Sequence, residues 1–312
     1  MRSLDRRSFL ARALGSAAAA SLAFSARAAP RREPGGSGGP LGVTPLGDDL
    51  LMITGAGCNI VATGGSQGAL LVDGGLEHRA AELIRLVLES TRAHRIGVLF
   101  NTHWHPEQTG SNERIGRHGA SIIAHENTRL WLGRPIEVDW LPKPYGPLRP
   151  RARPNKTTYT TDTLTLDGRR IEYGYMAQAH TDGDLYVHFP KEKLLIAGGV
   201  VSNEGWPIMD YRTGGWIAGL VAGYDKLIQV AAPDTRIVPA NGPLLTRADL
   251  QSHRTMYFTI YDRLVKHLMK GLGPEEVIAQ QPAKEFAAQW GDPDRFIDSS
   301  FRSLWGHFAA DA

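Results

Sequence analysis

Short runs of hydrophobic residues, bounded by glycine and aspartate, occupy the chain after residue 41. Residues 50–54, 59–63 and 69–73 each have the length and the β-branched content of a strand, and the glycine-rich segment 64–68 separates the last two. Runs of this length divided by turn-forming residues are typical of a meander. We therefore predict three consecutive strands at the start of the folded region.

A helical period replaces this pattern between residues 77 and 90. Five apolar residues, from Ala80 to Leu88, recur at the three- and four-residue spacing of one helix face. A strand predicted over residues 96–101 follows directly. The pattern therefore indicates a strand, a helix and a second strand in succession.

Strands and helices continue to alternate along the rest of the chain. Further strands are predicted over 120–124, 163–166, 170–175, 185–189, 194–197 and 236–239, and helices near 126–132 and 216–230 and over 247–270 and 274–280. Such alternation favours an α/β fold with helices outside the sheets. We assign residues 41–312 to a single domain, preceded by a flexible linker over residues 30–40, which are rich in glycine and proline.

Composition and charge narrow the class of protein. The chain has 312 residues, of which 42% are hydrophobic and 21% charged, as in a globular protein with a sizeable core. The formal net charge is +3, but the first 29 residues hold five arginines and one aspartate, and the remainder has 30 basic and 31 acidic residues. This balance argues against a nucleic-acid partner. The single cysteine excludes a metal site built from several cysteines.

The first 29 residues resemble a twin-arginine signal peptide. Arg6 and Arg7 precede an alanine-rich apolar stretch over residues 13–24, and small residues end at Ala28 or Ala29, where cleavage is expected. The stretch is too short to span a bilayer, so we expect no stable membrane insertion. The resemblance implies the twin-arginine export machinery as a partner and a periplasmic or secreted location. An amphipathic helix or an uncleaved anchor is the alternative.

Three of the eleven histidines stand where strands are predicted to end. His103 and His105 follow the strand over 96–101, and residues two apart in an extended chain face the same side. His180 follows the strand over 170–175. Three imidazoles form a known catalytic zinc set, with one coordination position left for water. The alternative is a relic site that folds but holds no metal.

Five motifs together resemble the metallo-β-lactamase superfamily. They are Leu-Val-Asp-Gly-Gly at 71–75, the loop with His103 and His105, His-Thr-Asp-Gly-Asp at 180–184, Ile-Ala-Gly-Gly-Val at 196–200 and Val-Pro-Ala-Asn-Gly-Pro at 238–243. The resemblance covers nearly the whole domain. It implies a four-layer αββα sandwich with a metal site at one edge between two sheets, and hydrolysis as the usual chemistry.

The chain also departs from the family pattern. Glu107 and Gln108 replace the usual aspartate and histidine, Gly199 replaces the aspartate that bridges two metals, and Asn241 replaces another histidine. The resemblance therefore implies that the second metal site is degenerate and that the chain binds one Zn²⁺. A dinuclear site rebuilt from Glu107, Gln108 and Asn241 is the alternative, in which the two amides would be weak ligands.

Acidic residues beside the predicted ligands have candidate roles. Glu107 is the candidate general base, and a carboxylate that stabilises the start of a helix is an equally open reading. The resemblance implies that Asp73 and Asp184 accept hydrogen bonds from the ligand histidines and orient them.

Aromatic residues on loops predict the substrate pocket. Trp104, Trp206, Tyr211 and Trp216 are candidate walls, which favours a small apolar or aromatic substrate, although packing of long loops explains the same residues. The loop over 135–154 carries six prolines and three arginines. It is either a lid that favours an anionic substrate or a solvated arm.

These expectations combine into one functional hypothesis. The chain is an exported zinc-dependent hydrolase that uses a zinc-bound hydroxide on an ester, lactone, thioester or amide, and a β-lactam is permitted but not indicated. The alternative is a non-catalytic periplasmic binding or accessory protein with a remnant pocket.

Overall fold

The structure, a computed structural model, describes residues 39–308, in which two β-sheets are present. The first sheet has seven strands in chain order: β1 (Gly42–Gly47), β2 (Leu50–Thr54), β3 (Ile60–Thr63), β4 (Ala69–Val72), β5 (Ile96–Phe100), β6 (Ser121–His125) and β7 (Lys156–Thr158). Strands β1 to β4 pair antiparallel, and β4 to β7 pair parallel. The parallel half places the carboxyl ends of β4, β5 and β6 along one edge.

The second sheet has five strands in the order β12-β11-β10-β9-β8. They are β8 (Thr161–Leu166), β9 (Arg169–Met176), β10 (Asp184–Phe189), β11 (Leu194–Gly198) and β12 (Arg236–Pro239). Strand β12 pairs parallel with β11, and the other neighbours pair antiparallel. Strands β10 and β11 are both buried along their whole lengths, because helices cover one face of the sheet and the first sheet covers the other.

Nine α-helices flank the sheets within the described residues. They are α1 (Ala80–Thr91), α2 (Pro106–Thr109), α3 (Asn112–Gly116), α4 (Glu126–Trp131), α5 (Ile217–Val230), α6 (Arg247–Leu268), α7 (Pro274–Ala279), α8 (Ala287–Trp290) and α9 (Asp294–Phe308). Helix α1 buries Ala80, Leu83 and Val87 against the first sheet. Helix α6 begins where Thr246 and Asp249 cap each other's backbone N–H groups.

Three hydrophobic layers separate these elements. One lies between the two sheets, where Phe100 of β5 meets Tyr173 of β9 edge to face at 5.0 Å between ring centroids. A second joins α1 and α3 to the first sheet, and a third joins α5, α6 and α9 to the second sheet. The α/β class and the αββα order of layers predicted from the sequence are therefore confirmed.

The strands and helices predicted from the sequence are present within a few residues of the expected bounds. The prediction omitted β1, which contains Pro45 and an irregular register, and the short edge strand β7. It also gave no bounds for the short helices α2, α3 and α8 or for α9. The predicted leader over residues 1–29 and most of the predicted linker lie outside the described residues. Within residues 39–308, none of the helices has both the length and the apolar character that crossing a membrane requires.

Candidate metal centre

The three predicted histidines meet at one edge of the sandwich. His103 and His105 lie in the loop after β5, and His180 lies just before β10 in the other sheet. The backbone N–H of Leu185 donates to the carbonyl of Thr102 at 2.7 Å and so joins the two sheets beside the site. All three side chains are buried, and one ligand atom from each lies within 4.8 Å of the others. The three rings therefore form a cluster that can hold a metal ion.

A relay through Thr102 orients His103. The Thr102 hydroxyl donates to Asp73 Oδ2 at 2.9 Å and lies 3.0 Å from His103 Nδ1. Because its one proton goes to Asp73, this hydroxyl accepts from Nδ1–H, which leaves Nε2 free for a metal. Burial, with the neighbouring His180 and His105, lowers the pKa of His103 well below its usual range. The neutral ring is the form that binds metal.

His105 is held by Asp210, a residue that the sequence did not single out. Nε2 of His105 donates to Asp210 Oδ2 at 3.1 Å, and Nδ1 of His105 lies 3.7 Å from Glu107 Oε1. Burial lowers the pKa of His105, but hydrogen bonds to Asp210 and Glu107 outweigh burial and raise it to about 9. A metal ion binding at Nδ1 therefore displaces a proton from this ring.

Asp184 lies behind His180. Its carboxylate accepts from the backbone N–H groups of His180 and Thr181 at 2.7 and 2.8 Å and from the Thr181 hydroxyl at 2.9 Å. His180 Nδ1 lies 2.7 Å from Asp184 Oδ1 but forms no hydrogen bond within residues 39–308. Its Nε2 is the nitrogen that lies toward Gly199. Asp184 therefore lies beside His180 and binds its backbone, whereas Asp73 reaches His103 only through Thr102.

Gly199 lies against the free edges of two of these rings. A Cβ atom at this position would lie 2.2 Å from His180 Nε2 and 2.8 Å from His103 Cε1. Real Cβ atoms do not approach other heavy atoms so closely. The imidazoles therefore occupy the space that any side chain at position 199 would need.

The charges around the cluster suit a cation. Asp73, Asp184 and Asp210 are each about 2% exposed or less, and among residues 39–308 no lysine or arginine pairs with any of them. Burial raises the pKa of Asp73 to about 8, although two hydrogen bonds from Thr102 lower it. Buried carboxylates without a cationic partner are costly, and a metal ion supplies that charge. The donor set of three imidazoles backed by carboxylates fits zinc.

The remaining predicted site residues surround the cluster in different ways. Glu107 lies in the first turn of α2, with a side chain 17% exposed. Gln108 is buried, and its Oε1 has no hydrogen-bond partner within residues 39–308. Asn241 is half-buried in the loop after β12, where its carbonyl accepts from the N–H of Asn203. Buried Cys58 donates its thiol proton to the Glu107 carbonyl, and burial raises its pKa.

The predicted pocket walls need correction. Trp104 is fully buried, and its Nε1 donates to Thr213 Oγ1, so it is part of the core under the site and not a wall. Trp206 stacks on Phe296 of α9, and Trp216 stacks on His307 of the same helix at 3.8 Å. These two contacts agree with loop packing.

Tyr211 and Trp140 have different surroundings. Tyr211 is half-buried next to Asp210, under the guanidinium of Arg212. Trp140, half-buried, lies 4.5 Å from the His105 ring between centroids, and its Nε1 has no partner in the described part of the chain. Trp140 therefore borders the cluster from a half-buried position, whereas Trp104, 4.6 Å from the same ring, is fully buried.

The arginines of the loop over 135–154 are all engaged. Arg151 and Arg149 lie 2.7 and 3.7 Å from Glu113, and Arg153 donates to the Leu148 carbonyl. The apolar side chains of the loop pack on Trp104. Arg149 and Arg151 keep 71% and 45% of their side chains exposed, while the apolar packing excludes a fully solvated arm.

Sequence reasoning missed Thr102 and Asp210, and it missed the steric requirement for glycine at position 199. Thr102 directly precedes His103, and this position beside a predicted ligand was the only sequence signal that pointed to it. Asp210 carries no local signal, because it lies 105 residues from His105 in the chain.

Comparisons with known proteins agree with this geometry. The model of the metallo-beta-lactamase superfamily matches residues 53–250. The metallo-beta-lactamase from Pontibacter korlensis is 20% identical, with a TM-score of 0.57, over 70% of this chain and 99% of its own. The DIM-1 metallo-beta-lactamase is 18% identical, with a TM-score of 0.57, over 71% and 98%.

A longer protein matches more of the chain. The stereoselective inverting sec-alkylsulfatase Pisa1 from Pseudomonas sp. is 14% identical, with a TM-score of 0.64, over 87% of this chain, which spans 51% of the alkylsulfatase. At these identities the likeness shows the fold alone. A comparison with curated protein sequences gives no match.

Replacing Asp210 tests its hold on His105. Asp210→Ala is expected to weaken metal binding about 10- to 100-fold, the usual cost of removing a group that orients a ligand. Asp210→Asn keeps an acceptor oxygen and is expected to lose less. Competition with a chromophoric chelator measures the affinities, with Asp225→Asn, an exposed aspartate paired with Arg254, as the control. Equal affinity in Asp210→Ala and the control would contradict this role.

Adding one methyl group at Gly199 tests the steric argument. Gly199→Ala is expected to displace the His180 and His103 rings and abolish stoichiometric metal binding, because the added Cβ overlaps both. Gly306→Ala is the control, since nothing lies within 4 Å of its added Cβ. Metal content by elemental analysis and folding by circular dichroism are the measurements. A folded Gly199→Ala protein with unchanged metal content would refute the argument.

Proposed function

We propose a function from the premise that this chain belongs to the metallo-beta-lactamase superfamily: it is a hydrolase that uses one zinc ion on an ester, lactone, thioester or amide. The observation that carries the proposal is the buried cluster of His103, His105 and His180, with ligand atoms within 4.8 Å of one another. Hydrolysis is the usual chemistry of such a cluster in this superfamily. A β-lactam substrate is permitted by the fold, but no residue here favours it.

The three histidines would hold the ion, with His103 and His105 oriented by acceptors already in place and His180 Nδ1 next to the Asp184 carboxylate. When bound, zinc supplies Lewis acidity, which polarises a carbonyl and lowers the pKa of a ligated water to about 7. Asp210 keeps the proton of His105 on Nε2, and Thr102 with Asp73 keeps that of His103 on Nδ1. These contacts fix which nitrogen of each ring is free to bind.

Glu107 is the proposed general base. Its Oε1 lies 3.7 Å from His105 Nδ1, the nitrogen that Asp210 leaves free, so its carboxylate borders the space between the rings. A carboxylate there can accept the proton that the nucleophilic water loses and return it to the leaving group. Its place in the first turn of α2 also stabilises that short helix, and the two roles are compatible.

Three positions support a single ion. Gly199 carries no donor, and its surroundings leave no room for one. Gln108 and Asn241 offer only neutral amide oxygens where the family usually has histidines, and zinc prefers nitrogen, sulfur and carboxylate ligands. Without a second ion to stabilise its negative charge, the leaving group must be protonated as it departs. Glu107 is the residue proposed to donate that proton.

The substrate proposed is small and apolar or aromatic. Trp140 borders His105 with its aromatic face, and its Nε1 is a buried donor without a partner within residues 39–308. An apolar wall with one polar group is the usual composition of a small-molecule site. This support rests on Trp140, because Trp104 is buried and Trp206 and Trp216 pack on α9.

The proposal includes export. The twin-arginine-like leader over residues 1–29 supports transfer of the folded chain by the twin-arginine machinery to the periplasm or beyond, with cleavage near Ala28 or Ala29. The charge balance of the remaining chain supports a small-molecule partner over a nucleic acid.

Metal content is the first test. Protein purified without chelator is expected to contain about one zinc per chain, and the His103→Ala/His180→Ala variant none, because three ligands are needed for a stable site. His78→Ala, which alters an exposed histidine, is the control. Absence of metal from the folded wild-type protein, even after zinc is added, would reject the hydrolase and favour the non-catalytic accessory protein. About two ions per chain would favour the rebuilt dinuclear site.

Glu107→Gln tests the proton transfer separately. On any ester, lactone or amide that the wild-type protein hydrolyses, kcat is expected to fall about 10²- to 10⁴-fold, the usual share of general-base catalysis. Zinc content is expected to stay the same. Glu137→Gln, which neutralises an exposed carboxylate, is the control. If Glu107→Gln loses zinc as well as activity, Glu107 is a metal ligand. If Glu107→Gln keeps full activity, the role of Glu107 is structural only.

A further inference from the structure

A cavity lies away from the histidine cluster, between α1, α3 and the start of β5. Its volume is about 360 Å³, near the lower end of small-molecule pockets. Ile84 and Leu88 of α1, Ile96 of β5 and Ile115 of α3 form an apolar floor. The histidine cluster lies beyond the opposite end of β5, a strand of five residues and so about 16 Å long. The cavity is therefore a separate site.

Helix α1 has more apolar surface than the sheet covers. The stripe of Ala80, Leu83 and Val87 is buried against the first sheet. A neighbouring stripe, which includes Ile84 and Leu88 at a four-residue spacing, stays half-buried and faces the cavity. Apolar side chains that line a concavity gain free energy when a ligand covers them.

The rim of the cavity is cationic. Arg95, Arg114, His94 and His118 line it, and no acidic residue does. Arg95 donates to the Gln67 carbonyl, and neither arginine forms an ion pair with a carboxylate among residues 39–308. An apolar floor beneath two unpaired guanidinium groups complements a molecule with an apolar body and an anionic end.

The nearby carboxylates are already paired with other arginines. Glu89 lies 3.2 Å from Arg85, four residues earlier on α1. Glu113, next to Arg114 in α3, contacts Arg117 and Arg151 at 3.2 and 2.7 Å. Because these acids have other partners, the positive charge at the rim is left for a ligand.

We propose that this cavity binds a free amphiphilic monoanion, a medium-chain carboxylate with a single alkyl chain. The small concave volume takes one chain and suits a molecule in solution better than a lipid surface. The carboxylate would lie between Arg95 and Arg114, and the chain on Ile84, Leu88 and Ile115. The site is independent of the metal centre and of the proposed hydrolysis.

Calorimetric titration with decanoate tests the proposal. Binding is expected below the concentration at which decanoate forms micelles, and decyltrimethylammonium, which has the same chain and the opposite charge, is expected to bind much more weakly. Arg114→Glu is expected to weaken decanoate binding about three- to tenfold, as for a partly exposed charge-assisted contact. Arg117→Glu changes the charge equally on the adjacent turn but does not line the cavity, and it is expected to bind as the wild type does.

A second variant tests the apolar floor of the cavity separately from its cationic rim. Ala81→Trp places a large side chain in the cavity from an exposed position of α1 and is expected to abolish binding in a folded protein. No binding by the wild type, equal binding by Arg114→Glu and Arg117→Glu, or equal affinity for both amphiphiles would overturn the proposal. Loss of binding in His103→Ala/His180→Ala would also overturn it, because decanoate would then occupy the metal centre.

Discussion

The burial of three imidazoles at one edge of the sandwich is the constraint on which the rest of this structure depends. A buried ring has two nitrogens to satisfy, and here one nitrogen of each ring faces an acceptor: Thr102, Asp210 or Asp184. One ligand atom of each ring lies within 4.8 Å of the others, and the Glu107 carboxylate lies at the border of the cluster. This arrangement is costly unless a cation occupies the space, so the hydrogen-bond pattern itself argues for a metal.

The two sheets make this arrangement possible. His103 and His105 belong to the first sheet's edge, His180 to the second, and the bond from Leu185 N–H to the Thr102 carbonyl keeps the two edges together. Loops from more distant parts of the chain then complete the centre: Asp210 reaches His105 on one side, and Trp140 covers the same ring on another. Glycine at position 199 is part of the same arrangement, because the His180 and His103 rings occupy the space that a side chain there would need.

The carboxylates around the three histidines bear on whether the cluster has a use. Gln108, Asn241 and Gly199 carry no charge, whereas Asp184 and Asp210 are buried beside the histidines. A relic site under no constraint would have little reason to keep carboxylates that lack any lysine or arginine partner among residues 39–308. The retained shell is therefore the strongest support for a centre that still functions.

By itself the sequence determined most of the strands and helices and the pairing of His103 with His105, since these depend on period and on neighbours along the chain, while the order of layers followed from the resemblance to a known family. Apolar spacing predicted most strands and helices, and two histidines two residues apart after a strand can face the same ion. Only the tertiary structure decided that Trp104 is core, that Asp73 acts through Thr102, and that Asp210 holds His105 across 105 residues. Periodicity is a local property of the chain, whereas burial and hydrogen-bond partners arise when distant segments pack together.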